Sequence, residues 1–283
     1  MKKPVLLDGA VGTSLWAKAD SKGIKREPVW TYNITHPEIV SQLVKEYIEA
    51  GSEIVLANTF SANPFMVGKK PGFDCREVIK TAVGIVKQAT KGTNVKTALA
   101  LGPLAQLLEP YGDLEEDECF ETYDSMLRYA MEEKPDVVYV QTFIDLNMAS
   151  IAVKAAKQYN IPVFCTLSFE KIGKTIMGNS VDDVVMEMEK LGVNGVGLNC
   201  SLGPDTAVPI IKEFASKTNI PIVFKPNAGL PISNPDGTVS PYSASKFAEE
   251  VSKAFEYVDY VGGCCGSDPS YIREINALIA QIR

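Results

Sequence analysis

The sequence predicts a (β/α)8 barrel, a single domain over residues 1–283, on three observations. Eight short β-rich runs alternate with eight helical stretches, and 283 residues suit a fold that typically takes about 250. The runs are nearly continuous in apolar residues, as in Ile54-Val55-Leu56-Ala57 and Val137-Val138-Tyr139-Val140. That pattern fits parallel strands covered on both faces. Polar residues also collect where the runs end. A doubly wound open sheet is the alternative, but no Gly-x-Gly-x-x-Gly follows the first run.

In chain order, residues 5–10 form the first strand and 37–50 its helix, which Thr35-His36-Pro37 opens with proline at the first helical position. Strand 52–58 precedes helix 76–90, and strand 95–102 precedes helix 114–133. Strand 136–143 precedes helix 145–160, and strand 161–169 precedes helix 181–191. Strand 195–201 precedes helix 204–217, and strand 220–227 precedes helix 243–256. Strand 258–264 precedes helix 269–282, opened by Ser267-Asp268-Pro269. The longest irregular stretches, 17–30, 61–73 and 229–242, each follow a strand and so fall at the barrel face where such enzymes do chemistry. Leu230-Pro231 and Asn234-Pro235-Asp236-Gly237 are turn material.

Composition excludes several function classes. Hydrophobic residues make up 46% and charged residues 22%, which rules out a disordered or collagen-like chain. With 28 Lys+Arg against 35 Asp+Glu the net charge is −7, which argues against a nucleic-acid or anionic-membrane surface. No apolar run approaches the roughly 20 residues of a membrane span. Asp8 and Gly9 interrupt the N-terminal apolar stretch too early for a signal peptide. A cytoplasmic protein is expected, and in one of this length six cysteines point to metal binding or catalysis before disulfides.

Six strand tips carry polar residues: Asp8-Gly9-Ala10-Val11-Gly12-Thr13, Asn58-Thr59-Phe60, Gln141-Thr142-Phe143, Asn199-Cys200-Ser201, Lys225-Pro226-Asn227 and Gly262-Gly263-Cys264-Cys265-Gly266. In a barrel these converge on one pocket. Cys200 ends the sixth strand and Cys264-Cys265 end the eighth. Three thiolates from neighbouring tips surround a Zn2+ ion tetrahedrally and leave a fourth position open, the catalytic pattern for zinc. The flanking glycines let the backbone bend so that adjacent cysteines face one ion. A redox thiol pair is the rival reading, although adjacent cysteines bridge only with strain. Cys75, Cys119 and Cys165 lack any partner pattern and read as small buried hydrophobes.

Charge decides what such a site does. Zinc with three thiolates carries net −1, and a thiol entering the open place loses its proton to the metal. Net −2 then keeps electron density on the substrate sulfur, which suits attack on an alkyl donor. A hydrolase would favour histidine ligands and a general base. The single histidine, His36, stands at a helix start and reads as a capping residue.

These motifs, with Gly197-Leu198-Asn199-Cys200-Ser201-Leu202-Gly203-Pro204 and Pro226-Asn227-Ala228-Gly229-Leu230-Pro231, resemble homocysteine S-methyltransferases from about Leu6 to Ile279. The likeness is strongest to the homocysteine-binding module of cobalamin-dependent methionine synthase, which Ser168-Phe169-Glu170 and the stretch from Gly173 to Gly178 also fit. The resemblance implies a zinc-dependent barrel that methylates homocysteine to methionine. It implies Cys200, Cys264 and Cys265 as zinc ligands and as the means of thiol activation, with Asn227 near the zinc as a fourth ligand until substrate arrives. It places the amino-acid part of the substrate on Asp8, Gly9, Ala10, Gly12 and Thr13, whose backbone N–H groups receive a carboxylate while Asp8 faces the ammonium. Asn58, Thr59, Gln141 and Asn199 complete the implied substrate contacts.

Two departures from that family stand out. Gln141-Thr142 replaces the usual Glu-Thr, so a charge that contacts the substrate ammonium is missing. Losing a charge-assisted contact costs about 1–3 kcal/mol. Met148 stands where an acidic residue is common, and Pro28-Val29-Trp30-Thr31-Tyr32-Asn33 is bulkier and less acidic than usual. The synthase also continues with folate, corrinoid and reactivation modules, whereas this sequence stops at the last helix of the barrel. The donor is therefore expected from outside: methylcobalamin on a separate corrinoid protein, or a sulfonium such as S-methylmethionine. The alternatives are a component of a corrinoid methyl-transfer system acting on a different thiol or methyl carrier, and a non-catalytic metal- or thiol-binding protein.

Overall fold

The computed structural model describes residues 2–228, 232–234, 237–239 and 242–282. Eight parallel strands form its centre: β1 Val5–Leu6, β2 Ile54–Leu56, β3 Lys96–Leu101, β4 Val137–Phe143, β5 Val163–Leu167, β6 Gly195–Asn199, β7 Ile222–Lys225 and, after a small hairpin, β10 Tyr260–Val261. The hairpin pairs β8 Ile232–Asn234 with β9 Gly237–Val239 in antiparallel register. The large sheet runs β1-β10-β7-β6-β5-β4-β3-β2, and a parallel bridge from Leu7 to Ile54 joins its two ends. That closure makes the predicted (β/α)8 barrel.

The eight expected helices surround it: α3 Pro37–Glu49, α5 Cys75–Thr90, α6 Glu116–Met131, α7 Leu146–Lys157, α8 Val181–Leu191, α9 Pro204–Lys217, α10 Ala244–Ser252 and α11 Pro269–Ala280. Their ends follow local chemistry. Asp74 caps α5 by accepting from the Glu77 N–H, and Ser180 and Asp183 close a capping box on α8. Asp268 caps α11 with Pro269 behind it, as the sequence suggests. In α5 the buried Val78, Ile79, Ala82, Val83 and Val86 make a single stripe against the sheet.

Two apolar layers result. One packs helices on the outer faces of the strands. The other fills the barrel and includes Leu7, Ile54, Tyr139, Phe164 and Val223. Phe164 packs on Tyr260 at 4.5 Å between ring centroids and on Tyr139 at 6.1 Å. This plug seals the barrel below, so any cavity must open at the carboxyl ends of the strands.

Three stretches expected to be irregular contain structure. Helix α1, Val11–Ser21, takes up the start of the first, followed by a 3-10 turn at Val29–Thr31 and α2, Tyr32–Thr35. Helix α4, Pro64–Val67, capped by Asn63, lies in the second. The hairpin lies in the third, where Leu230-Pro231 and the Pro235-Asp236 part of the second turn sequence fall outside the described residues. Because α1 begins at Val11, the expected substrate loop is a strand end that runs directly into a helix N-terminus. The first and last strands are also shorter than their apolar runs, because the backbone leaves the ladder there to build the barrel mouth.

Candidate active site

The six polar tips meet at one cavity of ≈ 430 Å³, within the range of small-molecule sites. Gly9 to Thr13, Leu56 to Asn58, Gln141 and Thr142, Cys200, Lys225, and Gly263 to Cys265 all line it, and Ala100 joins from β3.

The Sγ atoms of Cys200, Cys264 and Cys265 lie within 4.8 Å of one another, and Cys200 and Cys265 are 3.7 Å apart. Among the described residues this is the one cluster of three or more metal-ligating side chains. Local backbone strain creates it. Cys200 and Ser201 both take left-handed conformations, with φ of 62° and 54°. Such residues each cost on the order of 1–3 kcal/mol and collect at functional sites. The Cys200 N–H donates to the Lys225 carbonyl at 3.0 Å, and the Ser201 hydroxyl donates to the Phe169 carbonyl at 2.8 Å.

On the other side, the Cys264 N–H donates to the Pro226 carbonyl at 2.8 Å, and the Ser267 hydroxyl donates to the Cys264 carbonyl at 2.6 Å. The glycines act in two ways. Gly266 has φ of 84° and turns the chain. At Gly263 a Cβ would stand 2.2 Å from the Ser267 Oγ, so this glycine permits close approach.

The thiols share charge. Hydrogen bonds from Cys264 and then Cys265 hold the Cys200 thiol well below its ordinary value. Accepting that role, Cys200 pushes Cys264 and Cys265 up. Three thiolates held this close repel one another, so together they require a cation. The expected fourth ligand, Asn227, does not line the cavity, but its Oδ1 is buried and has no hydrogen-bond partner among the described residues. Three clustered sulfurs and a stranded carbonyl oxygen are a donor set that fits tetrahedral zinc. By contrast, burial pushes the Cys75 and Cys119 thiols up to about 12 and raises Cys165 as well. None of these three lines the cavity.

The facing wall is built differently. Helix α1 opens on Ala10, which offers no side-chain cap, and has no acidic residue in its first turn. Tyr47 fixes its start by donating to the Ala10 carbonyl at 2.7 Å. Asn58 donates to the Val29 carbonyl at 2.7 Å and to Asn33 Oδ1 at 2.9 Å, which brings Pro28, Val29 and Trp30 to the cavity. Trp16 and Phe60 complete an apolar rim. The Trp30 indole N–H is buried without a partner among the described residues.

Several expected substrate contacts sit behind the wall. Asp8 is 1% exposed, and both its oxygens are engaged. Oδ1 accepts from Lys225 Nζ at 2.6 Å, and Oδ2 accepts from the Leu56 N–H at 2.7 Å. Burial pushes its carboxyl up, while the Lys225 ammonium pulls it down. Asn199 is fully buried: its Oδ1 accepts from the Thr142 N–H and the Thr166 hydroxyl, and its Nδ2 donates to the Thr142 hydroxyl. It holds Thr142 at a φ of 64°, where a register shift in β4 turns Gln141 toward the cavity. Thr59 is buried and exchanges hydrogen bonds with the Ala100 backbone. Met148 belongs to the apolar core. His36 stands at the N-cap of α3, but its side chain makes no capping bond and lies 3.3 Å from Glu38.

Sequence reasoning assigned no role to Lys225, which is 2% exposed, lines the cavity and stands 5.7 Å from the Tyr139 ring. Its signal was available: a lysine two residues after Val223 shares the inward face of β7. Helix α1 was also missed. Val11, Leu15 and Ala19 recur at helical spacing, but Ala10 provides no start signal.

A closed barrel with three clustered cysteines at its mouth defines a class of thiol- or metal-dependent barrel proteins. Within it, residues 5–279 match the homocysteine S-methyltransferase family, and the chain belongs to that family. The methionine synthase of Mycobacterium tuberculosis (strain ATCC 25618 / H37Rv) is 28% identical over 295 residues, covering 98% of this chain and 24% of that protein. Its counterpart from Mycobacterium leprae (strain TN) is 28% identical over 297 residues, covering 97% and 24%. The chain thus spans about a quarter of the length of these relatives. The homocysteine methyltransferase MmuM from Escherichia coli, in its oxidized form, shares the fold with a TM-score of 0.81 at 16% identity, covering 98% of this chain and 96% of that one. No described helix is long and apolar enough to cross a membrane.

Proposed function

We propose that this protein is a zinc-dependent S-methyltransferase whose acceptor is a thiol of homocysteine's size, with homocysteine itself the acceptor that the family implies. The observation that carries this reading is the trio of sulfurs within 4.8 Å at the mouth of the barrel. Cys200, Cys264 and Cys265 would hold the ion, and Asn227 would offer a further ligand before substrate enters. Bound zinc supplies one effect, a lowered pKa that keeps an incoming thiol ionised near neutral pH.

The protein's own groups do the rest. The open N-terminus of α1 receives the acceptor's carboxylate through its N–H groups, aided by the helix dipole. Trp16, Trp30 and Phe60 exclude water and leave the sulfur facing the mouth. In the transfer, a sulfur lone pair forms the new S–CH3 bond. The bond between methyl and its carrier breaks, its electron pair stays on the carrier, and the thiol proton goes to solvent. The similarity to methionine synthases supports methylcobalamin on a corrinoid protein as carrier, and a sulfonium is the competing donor.

The test loads the protein with zinc and offers homocysteine with methylcobalamin, S-methylmethionine or betaine in separate reactions, with mass spectrometry to find methylated thiol. Product with one donor, lost in Cys200→Ala, is the expected result. Undiminished product from Cys200→Ala would overturn the mechanism.

A further inference from the structure

One side-chain amide joins the sulfur side of the cavity to the tip of β4. Asn199 ends β6 and is fully buried. A planar amide has two acceptor places and two N–H donors, and here all of them are met. Oδ1 accepts from the Thr142 N–H at 2.8 Å and from the Thr166 hydroxyl at 2.7 Å. Nδ2 donates to the Thr142 hydroxyl at 2.6 Å and to the Cys264 sulfur at 3.7 Å. The orientation is fixed, because a flipped amide would set its NH2 group against the Thr142 N–H, donor against donor. An N–H therefore points at one of the three clustered sulfurs.

Each end of the amide supplies something the site needs. At the sulfur end, a hydrogen bond draws charge from a thiolate, and partners of this kind orient metal ligands and tune the metal. Three crowded thiolates repel one another, so a donor aimed at one of them offsets part of that repulsion. At the other end, Thr142 has a φ of 64°, which a β-branched residue keeps only where its surroundings impose it. Asn199 holds both the N–H and the hydroxyl of Thr142, and the adjacent Gln141 lines the cavity. The backing is firm: Thr166 is fully buried, and the Asn199 backbone pairs with Lys225 in the barrel.

We infer that Asn199 is a positioning residue. Through Cys264 it sets the charge and direction of a metal-ligating sulfur, and through Thr142 it holds Gln141 toward the acceptor. This rests on the zinc-thiolate reading and adds to it a residue that does not itself line the cavity.

Cobalt(II) loaded in place of zinc tests this without turnover, because its sulfur-to-metal charge-transfer band reads the charge on the sulfurs. In Asn199→Ala the three sulfurs remain, so the band should persist but move to longer wavelength, since a thiolate without its N–H donor gives up an electron more readily. A purely structural loss would weaken metal binding and leave the band of the loaded protein where it was. Zinc affinity, measured by chelator competition, should fall about ten- to a hundredfold, the usual scale for a group that holds a metal ligand. Thr166→Val frees one side of the same amide and should move the band less, in the same direction. It decides the matter if Asn199→Ala fails to fold. A band at the parent's wavelength in the deciding variant overturns the inference and leaves the zinc reading standing. No such band in the parent protein overturns the two together.

Discussion

The two walls of the cavity obey different rules. The cysteine wall is made by strand tips and short turns, with the Cys200 and Cys264 N–H groups and the Cys264 and Cys265 carbonyls tied down by hydrogen bonds. The facing wall is made by α1, the 3-10 turn and Phe60, in segments that lie between the regular strand-helix units. On the proposed function, the first wall fixes what kind of atom reacts and the second decides which molecule brings that atom. A family can keep the first while changing the second, because the second interrupts no barrel strand.

Removing a sulfur tests the first wall and should have the largest effect. Cys200→Ala leaves two thiols, and elemental analysis should find zinc falling from about one per chain to near zero, since three protein ligands are the usual minimum for such a site. Zinc retained at full stoichiometry would show that the cysteine wall is not the metal site.

Next comes the ion pair between the walls. Asp8→Asn strands the Lys225 ammonium in a site 2% exposed, and breaking a buried pair this way costs about 3–5 kcal/mol. Urea unfolding measures it. Combining Asp8→Asn with Lys225→Met should recover most of the loss, because no charge is then left unmatched. A loss that persists in the double variant would assign Asp8 its value through Leu56 instead.

A smaller effect sharpens the second wall. Trp30→Phe removes a buried N–H that has no partner among the described residues, so stability should stay within about 1 kcal/mol. Acceptor affinity should fall several-fold, the scale of one neutral hydrogen bond. Unchanged affinity would mean that the indole N–H does not meet the acceptor.

The smallest effect lies outside both walls. Burial raises the Cys119 thiol from 9.0 to about 12. The unfolded chain loses that proton first, so the folded state is fully favoured below 9.0 and loses this advantage as pH rises toward about 12. Between about pH 8 and about pH 10, Cys119→Ala should lose about 1 kcal/mol less stability than the parent. An equal loss in both would show that this thiol does not titrate in the window.

The same contrast explains what the sequence made legible. Eight apolar runs with helices between them specify a barrel, since each run needs cover on two faces. Three cysteines at two tips were visible because thiols are few and their positions in the strand-helix order were clear. Lys225 was visible only as a residue at a tip, and Asp8 only as an expected substrate contact. That they neutralise each other depends on β1 and β7 lying on either side of β10, 217 positions apart in sequence. Tertiary distance of that kind leaves no local pattern. The orphaned indole N–H of Trp30 was hidden for a similar reason: an unmet donor is a property of packing.

The hoop of strands is fastened by the Leu7–Ile54 bridge, and just above it the Asp8 carboxylate, rather than a main-chain carbonyl, takes the Leu56 N–H. Leu56 lines the cavity, so the fastening touches the cavity floor through this one residue. A guest packed on Leu56 braces the clasp behind it, so occupancy and integrity of the ring rise together. Slowed amide exchange at Leu56 would report a filled cavity before any product forms.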